Sequence, residues 1–383
     1  MRSALSSIEE VESIRLSPFA DVYTLAFRAG VKPDQAMVRK VFKGCAFTGR
    51  TVEMLDEPNP PRRPPPLPPD NFTTQGRVVL GRRLFADHRL SADGTVACVT
   101  CHQSERAFTN GRPKATGLRG QEIARNVPTL LNVGYRISIF WDGRAANLEE
   151  MALGALEHPA VIDMTPDELT ERLCSIPEYV EAFSREFGRA PTAETFAMAL
   201  AAYQRSLISN NTPFDRFARG ETSALSESAR RGYEVFVNKA NCITCHAGAD
   251  FTDEEFRRIG IGWNGKAYLD PGRSKITGKE QDTGRFCVPA LRELVWTAPY
   301  MHDGSLATLE EVIDYYNRGG REGAPTDLKG PLSLSDMEKA NLVAFLESLS
   351  STPEVLRVAL GARAFKSRED SSLAHGDKAR SSR

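Results

Sequence analysis

Two short clusters combine residue types and a spacing that can do chemistry. Cys98-Val99-Thr100-Cys101-His102 recurs as Cys242-Ile243-Thr244-Cys245-His246. Two thiols three residues apart on one turn can form thioethers with the two vinyl groups of one haem. The following histidine can then give an imidazole nitrogen to the iron. The spacing therefore predicts two covalently bound haem c groups, one on Cys98, Cys101 and His102, the other on Cys242, Cys245 and His246. A zinc site built from the two CxxC pairs is the rival reading, but it leaves a histidine at the same place in both halves without a purpose. Seven unevenly spaced cysteines in 383 residues do not make a disulfide framework. Cys45, Cys174 and Cys287 read as buried or incidental thiols, and His88 and His375 as surface residues.

The segments that must position these clusters look duplicated. The haem motifs are offset by 144 residues, whereas Val127-Pro128 and Val288-Pro289 are offset by 161. The same 161 relates Asp142-Gly143 to Asp303-Gly304, Leu148 to Leu309, and Glu149-Glu150 to Glu310-Glu311. Leu200, Tyr203, Ser206 and Leu207 match Leu342, Phe345, Ser348 and Leu349 at an offset of 142. Offsets that hold within blocks and jump between them are what duplication with loop insertions leaves. Capping-box starts at Thr165-Pro166-Asp167-Glu168, Thr308-Leu309-Glu310-Glu311 and Ser335-Asp336-Met337-Glu338 predict helices. Asn147-Leu148-Glu149-Glu150 has the same form. Gly188 and Gly319 suit helix C-termini, and strong strand alternation is absent. The fold class expected is mainly α, with two tandem cytochrome c-like haem domains.

Four stretches follow: an N-terminal extension with a proline-rich linker (1–70), a first haem domain (71–220), a second (221–352) and a polar tail (353–383), disordered from about 364. Residues 1–57 show no strong periodicity. Forty-nine Lys and Arg against 50 Asp and Glu argue against a nucleic-acid binder. No apolar run approaches the roughly 18 residues of a membrane span. The N-terminus does not read as a signal peptide, yet c-type haem is attached outside the bacterial cytoplasm, so a periplasmic location is expected.

Across about residues 71–352 the chain resembles the bacterial di-haem cytochrome c peroxidase family, which includes the methylamine-utilisation enzyme MauG. The landmarks are Gly81-Arg82-Arg83-Leu84-Phe85, Arg125-Asn126-Val127-Pro128-Thr129, Phe140-Trp141-Asp142-Gly143-Arg144, Ser175-Ile176-Pro177-Glu178-Tyr179-Val180 and Thr297-Ala298-Pro299-Tyr300-Met301-His302-Asp303-Gly304. The resemblance implies that the first haem, on His102, reacts with hydrogen peroxide and the second, on His246, relays electrons. It implies that Trp141 is the tryptophan between the haems. It also implies that Asn126, with the carbonyls of Thr297 and Pro299, forms a calcium site, since calcium takes hard oxygen ligands. Counting from Asp303-Gly304, the position of the relay haem's distal ligand falls on Tyr316, where MauG-type enzymes carry tyrosine. Tyr315, Met301, His302 and Met337 are the other donors in reach.

Subtracting 161 from 316 lands on Ala155, which cannot ligate iron, so the first haem is expected to keep an open face. The chain departs from the family where a glutamine and a glutamate move protons over that haem. Ungapped counting puts Met151 and Val161 there. Glu157 and His158 are the candidate substitutes, and His158 could instead cap the iron.

The resulting expectation is an enzyme that reduces hydrogen peroxide at the first haem. Electrons would pass through the second haem from a small c-type cytochrome, a cupredoxin or a protein substrate. MauG-like oxidation of a partner protein's residues, and a non-enzymatic electron-transfer or redox-sensing cytochrome, are the alternatives.

Overall fold

The computed structural model describes residues 64–352 in full and the backbone of 11–17 and 22–27. Cys45, His375 and the tail 353–383 lie outside the described residues, as does most of the stretch before Pro64.

Helices dominate. In chain order they are α1 (Gln75–Ala86), α2 (Cys98–Cys101), α3 (Leu148–Leu156), α4 (Pro166–Cys174), α5 (Pro177–Phe187), α6 (Ala193–Arg205), α7 (Pro213–Ala218), α8 (Glu227–Val237), α9 (Ser274–Thr277), α10 (Leu309–Asn317) and α11 (Asp336–Glu347). The side chains of Asn147, Thr165 and Ser335 accept the backbone N–H three residues on, starting α3, α4 and α11. Gly188 ends α5 in the left-handed region at φ 68°, a conformation that only glycine takes without strain.

The mainly helical expectation holds, and a little sheet accompanies the helices. β1 (Val11–Ser17) and β2 (Val22–Phe27) pair antiparallel, with Ile14 opposite Leu25 and Leu16 opposite Tyr23. The alternation is there, in Ile14 and Leu16 and in Tyr23, Leu25 and Phe27, but each run is too short to stand out. A second pair, β3 (Phe256–Arg257) and β4 (Phe286–Cys287), brackets a long excursion of the chain.

Two compact units emerge. The first gathers residues 66–212, 293–311 and 350–352; the second gathers 213–292 and 312–349. Both are discontinuous, so the segment 293–311 belongs with the first haem motif although it follows the second in sequence. In the first unit α1 crosses α6 where Gly81 meets the Ala199 carbonyl: a Cβ there would stand 1.9 Å from that oxygen. In the second, α8 crosses α11 where Gly232 meets Asn341 in the same way, at 1.8 Å. Phe85, Phe108, Phe183 and Leu200 fill the core of the first unit. Phe214, Phe236, Phe251 and Phe345 fill that of the second. Among the described residues no helix is long and apolar enough to cross a membrane.

Candidate functional site

In the first unit one turn of helix, α2, holds both thiols, and the His102 N–H donates to the Cys98 carbonyl at 2.9 Å. The imidazole Nδ1 sits 2.9 Å from the Phe108 carbonyl. Ala107 and Phe108 take left-handed conformations, φ 50° and 61°, to bring that carbonyl back. The Thr129 hydroxyl donates to the Ala107 carbonyl at 2.6 Å and steadies the turn. With Nδ1 donating, Nε2 is left as the free lone pair that a metal takes. Burial lowers the His102 pKa, against the raising effect of the Phe108 and Pro128 backbone, a direction that favours the neutral ring a ligand must be.

The second unit repeats this construction. The His246 N–H donates to Cys242 at 2.9 Å, and its Nδ1 sits 2.8 Å from the Phe251 carbonyl, with Phe251 at φ 55°. Burial lowers the His246 pKa while the Phe251 and Pro289 backbone opposes it. Pro128 and Pro289 belong to the repeated Val-Pro pairs, so that repeat marks the second wall of each histidine cradle. Burial pushes the Cys98 and Cys242 thiols up to about 12. All six residues keep part of their surface accessible, so a group bound beside them could reach them. Thiols on one turn and a histidine with Nε2 free fit a haem in each unit. Among the described residues no group of three or more His, Cys, Asp or Glu converges as a multi-ligand metal site would, so each CxxCH stands alone.

Tyr316 stands beside the second motif. Burial pushes its phenol well above the ordinary tyrosine value, and the nearby Cys242, Tyr315 and Cys245 add to the shift. Its hydroxyl has no hydrogen-bond partner among the described residues. Tyr315 differs: its hydroxyl donates to the Ile259 carbonyl at 2.8 Å. Met337 is 66% exposed on α11 and turns to solvent. Met301 and His302 lie in the first unit, where the buried His302 ring meets Trp141 edge-on at 6.5 Å.

Around α3, Met151 is buried and Ala155 half-buried. Glu157 and His158, at the end of that helix, are exposed. His158 Nδ1 accepts the Ala160 N–H at 3.2 Å, and burial together with Arg144 lowers its pKa. Val161 packs against the core of the first unit.

Asn126, Trp141 and the segment Thr297–His302 meet within the first unit. The Asn126 N–H donates to the His302 carbonyl at 2.8 Å, and the Trp141 indole N–H donates to the Asn126 carbonyl at 2.9 Å. Asn126 Nδ2 is spent on the Arg112 and Pro113 carbonyls. Its Oδ1 takes no hydrogen bond among the described residues, which suits a hard-cation ligand.

Sequence reasoning missed the roles of four neighbours. Phe108 and Phe251 orient the histidines; the repeated Phe-Thr pairs at 108–109 and 251–252 were the available signal. Arg257 lies close to the Cys245 thiol. Tyr203 is close enough to Cys98 to feel its charge, and burial pushes it up to about 12. No spacing rule pointed to the last two.

Residues 75–223 match the family described as di-haem cytochrome c peroxidase. The chain is 35% identical over 357 residues to the cytochrome-c peroxidase IdrP1 of Pseudomonas sp., covering 85% of this chain and 94% of that one. It is 39% identical over 303 residues to the methylamine utilization protein MauG of Methylorubrum extorquens, covering 77% and 84%. A crystal structure of a MauG-like protein associated with microbial copper homeostasis superimposes with a TM-score of 0.71 at 31% identity, covering 83% of this chain and 99% of the other.

Proposed function

The chain belongs to the di-haem cytochrome c peroxidase family, and from that premise we propose that it reduces hydrogen peroxide at the haem of the first unit with electrons delivered through the haem of the second. It is an oxidoreductase with two haems. Bound haem supplies the iron at which peroxide is cleaved and the electrons that complete its reduction. The protein's own residues do the rest. Cys98 and Cys101, and Cys242 and Cys245, tether the haems as thioethers. His102 and His246 present Nε2 because the Phe108 and Phe251 carbonyls hold Nδ1–H. Asn126 Oδ1, with the Thr297 and Pro299 carbonyls, would hold calcium, and Trp141 would carry electrons between the haems.

One observation carries the assignment of roles: the unpartnered Tyr316 hydroxyl stands beside the second motif, while the equivalent first-half position is Ala155. Tyr316 would cap the second iron; alanine would leave the first open to peroxide. Met151 and Val161 move no protons, so proton delivery falls to Glu157 and His158, both near solvent. Peroxide activation is then slower than with a buried acid–base pair.

A tyrosine at 316 also favours a second reading, oxidation of residues on a partner protein, after the likeness to MauG. Reductants for the first reading are a small c-type cytochrome or a cupredoxin, and c-type attachment implies the periplasm. Peroxide titration of the holoprotein, followed by absorption and electron paramagnetic resonance, separates the outcomes. A high-spin first haem that reacts with one equivalent supports the proposal; two low-spin haems inert to peroxide would overturn it.

A further inference from the structure

The second half is longer than the first between the haem motif and the Val-Pro pair, as the change of offset from 144 to 161 shows. The structure places extra chain in the excursion between β3 and β4, which begins beside Cys245 at Arg257 and returns to Pro289 beside His246. This excursion carries two aromatic residues that the proposed function has not used. Trp263 and Tyr268 pack ring to ring at 5.2 Å. Tyr268 lies flat over Gly284, where a Cβ would approach its ring to 2.6 Å, and its hydroxyl donates to the Pro325 carbonyl. Tyr268 and Tyr315 are near enough to interact electrostatically. Tyr315 in turn meets Tyr316 edge-on at 5.9 Å, and Tyr316 stands beside Cys242 and Cys245. At the outer end Trp263 is half-buried, and its neighbours Asn264, Lys266 and Leu269 are exposed, Leu269 by 75%.

Four oxidisable rings thus follow one another from the surface to the second haem site, all within one unit. Electron tunnelling falls exponentially with distance, so two ring pairs in contact, Trp263 with Tyr268 and Tyr315 with Tyr316, joined by one longer step from Tyr268 to Tyr315, make a faster route than the same span of aliphatic side chains. We propose that Trp263, Tyr268, Tyr315 and Tyr316 form an electron-transfer chain that admits single electrons to the second haem from a redox protein, or an oxidisable side chain of a partner protein, docked against the excursion. The inference rests on the reading that electrons enter at the second unit. Each passage oxidises the partner by one electron and reduces the oxidised iron by one; two passages balance one peroxide, whose protons are taken up where it is cleaved. No bond is made or broken along the chain. The Tyr268 and Tyr315 hydroxyls donate to backbone carbonyls, so each proton stays in its hydrogen bond as charge passes through the ring, and Trp263, which has no hydroxyl proton to hold, is the ring that meets the partner first.

The test uses the holoprotein with Cys174→Ser, to remove an exposed thiol, and Lys266→Cys bearing a ruthenium polypyridyl label. Flash–quench generation of the oxidised label draws an electron out of the ferrous second haem along the same path, and haem bleaching reads the rate. Trp263→Phe and Tyr268→Phe preserve a ring but remove an easily oxidised one. Each is expected to slow bleaching by roughly tenfold or more, while Trp263→Tyr stays within about threefold of the parent. Haem content and ferric spectra check that the variants fold. Rates in both Phe variants within about twofold of the parent would overturn the chain. Failure of the broader reading shows separately, in the unlabelled parent, as a second haem whose oxidation state is untouched by peroxide.

Discussion

Tyr316 is half-buried and its hydroxyl takes no hydrogen bond among the described residues, whereas its buried neighbour Tyr315 donates to Ile259 at 2.8 Å. Iron in the second site would take the Tyr316 phenolate oxygen. Because burial pushes the phenol well up, its proton is held at neutral pH until the metal displaces it, so ligation releases a proton. Tyr316→Phe should therefore leave stability within about 1 kcal/mol of the parent. It should also change the ferric spectrum of the second haem and raise its potential, since a hard anionic donor is lost. Absorption and potentiometry check both, and an unchanged spectrum passes the ligand role to another side chain. The candidate itself was visible in the sequence by counting from Asp303-Gly304. Its separation from Tyr315 was not, because adjacent residues on a helix point about 100° apart and only the fold says which direction meets the haem motif. His158 illustrates the converse: its side-chain type suits acid–base work, but its setting was not legible, with Nδ1 accepting the Ala160 N–H at 3.2 Å in a solvent-facing turn so that proton work falls to Nε2.

Helix starts were the most legible elements, because a cap is a local contract between a side chain and an N–H three residues away. The crossings were not, since nothing in the periodicity of α1 or α8 shows which residue a partner helix approaches. Gly81 and Gly232 set those crossings. Gly81→Ala would drive a Cβ into the Ala199 carbonyl at 1.9 Å, and the overpacking should destabilise the first unit by about 1–3 kcal/mol. Gly154→Ala, on α3 with no atom within 4 Å of the new Cβ, should be neutral or stabilising by up to about 1 kcal/mol. Denaturant titration of the two variants compares them directly. The cap of α11 adds a pH dependence. The Lys239 ammonium first, then the Ser335 backbone and hydroxyl, lower the Glu338 pKa from 4.5 to about 2. A depressed acid contributes stability that is present above its unfolded value and lost as pH falls through its folded one. The parent should thus lose stability between about pH 4.5 and pH 2, and Glu338→Gln should remove that part of the slope. Thermal melts across the window measure it; an identical slope in both proteins would clear Glu338 of the role.

At the scale of the molecule, duplication was readable because the haem motif, the Val-Pro pair and the Asp-Gly turn all repeat, and each has a physical task that cannot drift. Val-Pro walls the histidine; Asp-Gly makes a tight turn, at φ 66° for Gly143 and 68° for Gly304. How the chain distributes itself was not readable. A single cut between 220 and 221 cannot show that 293–311 folds with the first unit, since that depends on bonds such as Asn126 N–H to the His302 carbonyl, 176 residues away in sequence. Each unit nonetheless keeps its own haem motif, its own Gly-mediated helix crossing and its own aromatic or aliphatic core. Losing one iron ligand should therefore not unfold the other unit. His102→Ala is expected to retain the second haem with an unaltered spectrum. Peroxide turnover should fall to about 1% of the parent or less, because the first iron loses its fixed imidazole. His246→Ala should do the reverse. The first haem would still react with one equivalent of peroxide, but turnover supported by a protein reductant would collapse. Single-turnover and steady-state rates measured on the same preparations distinguish the two patterns. If both variants lost the two activities together, the units would be one cooperative whole rather than two centres with separate tasks.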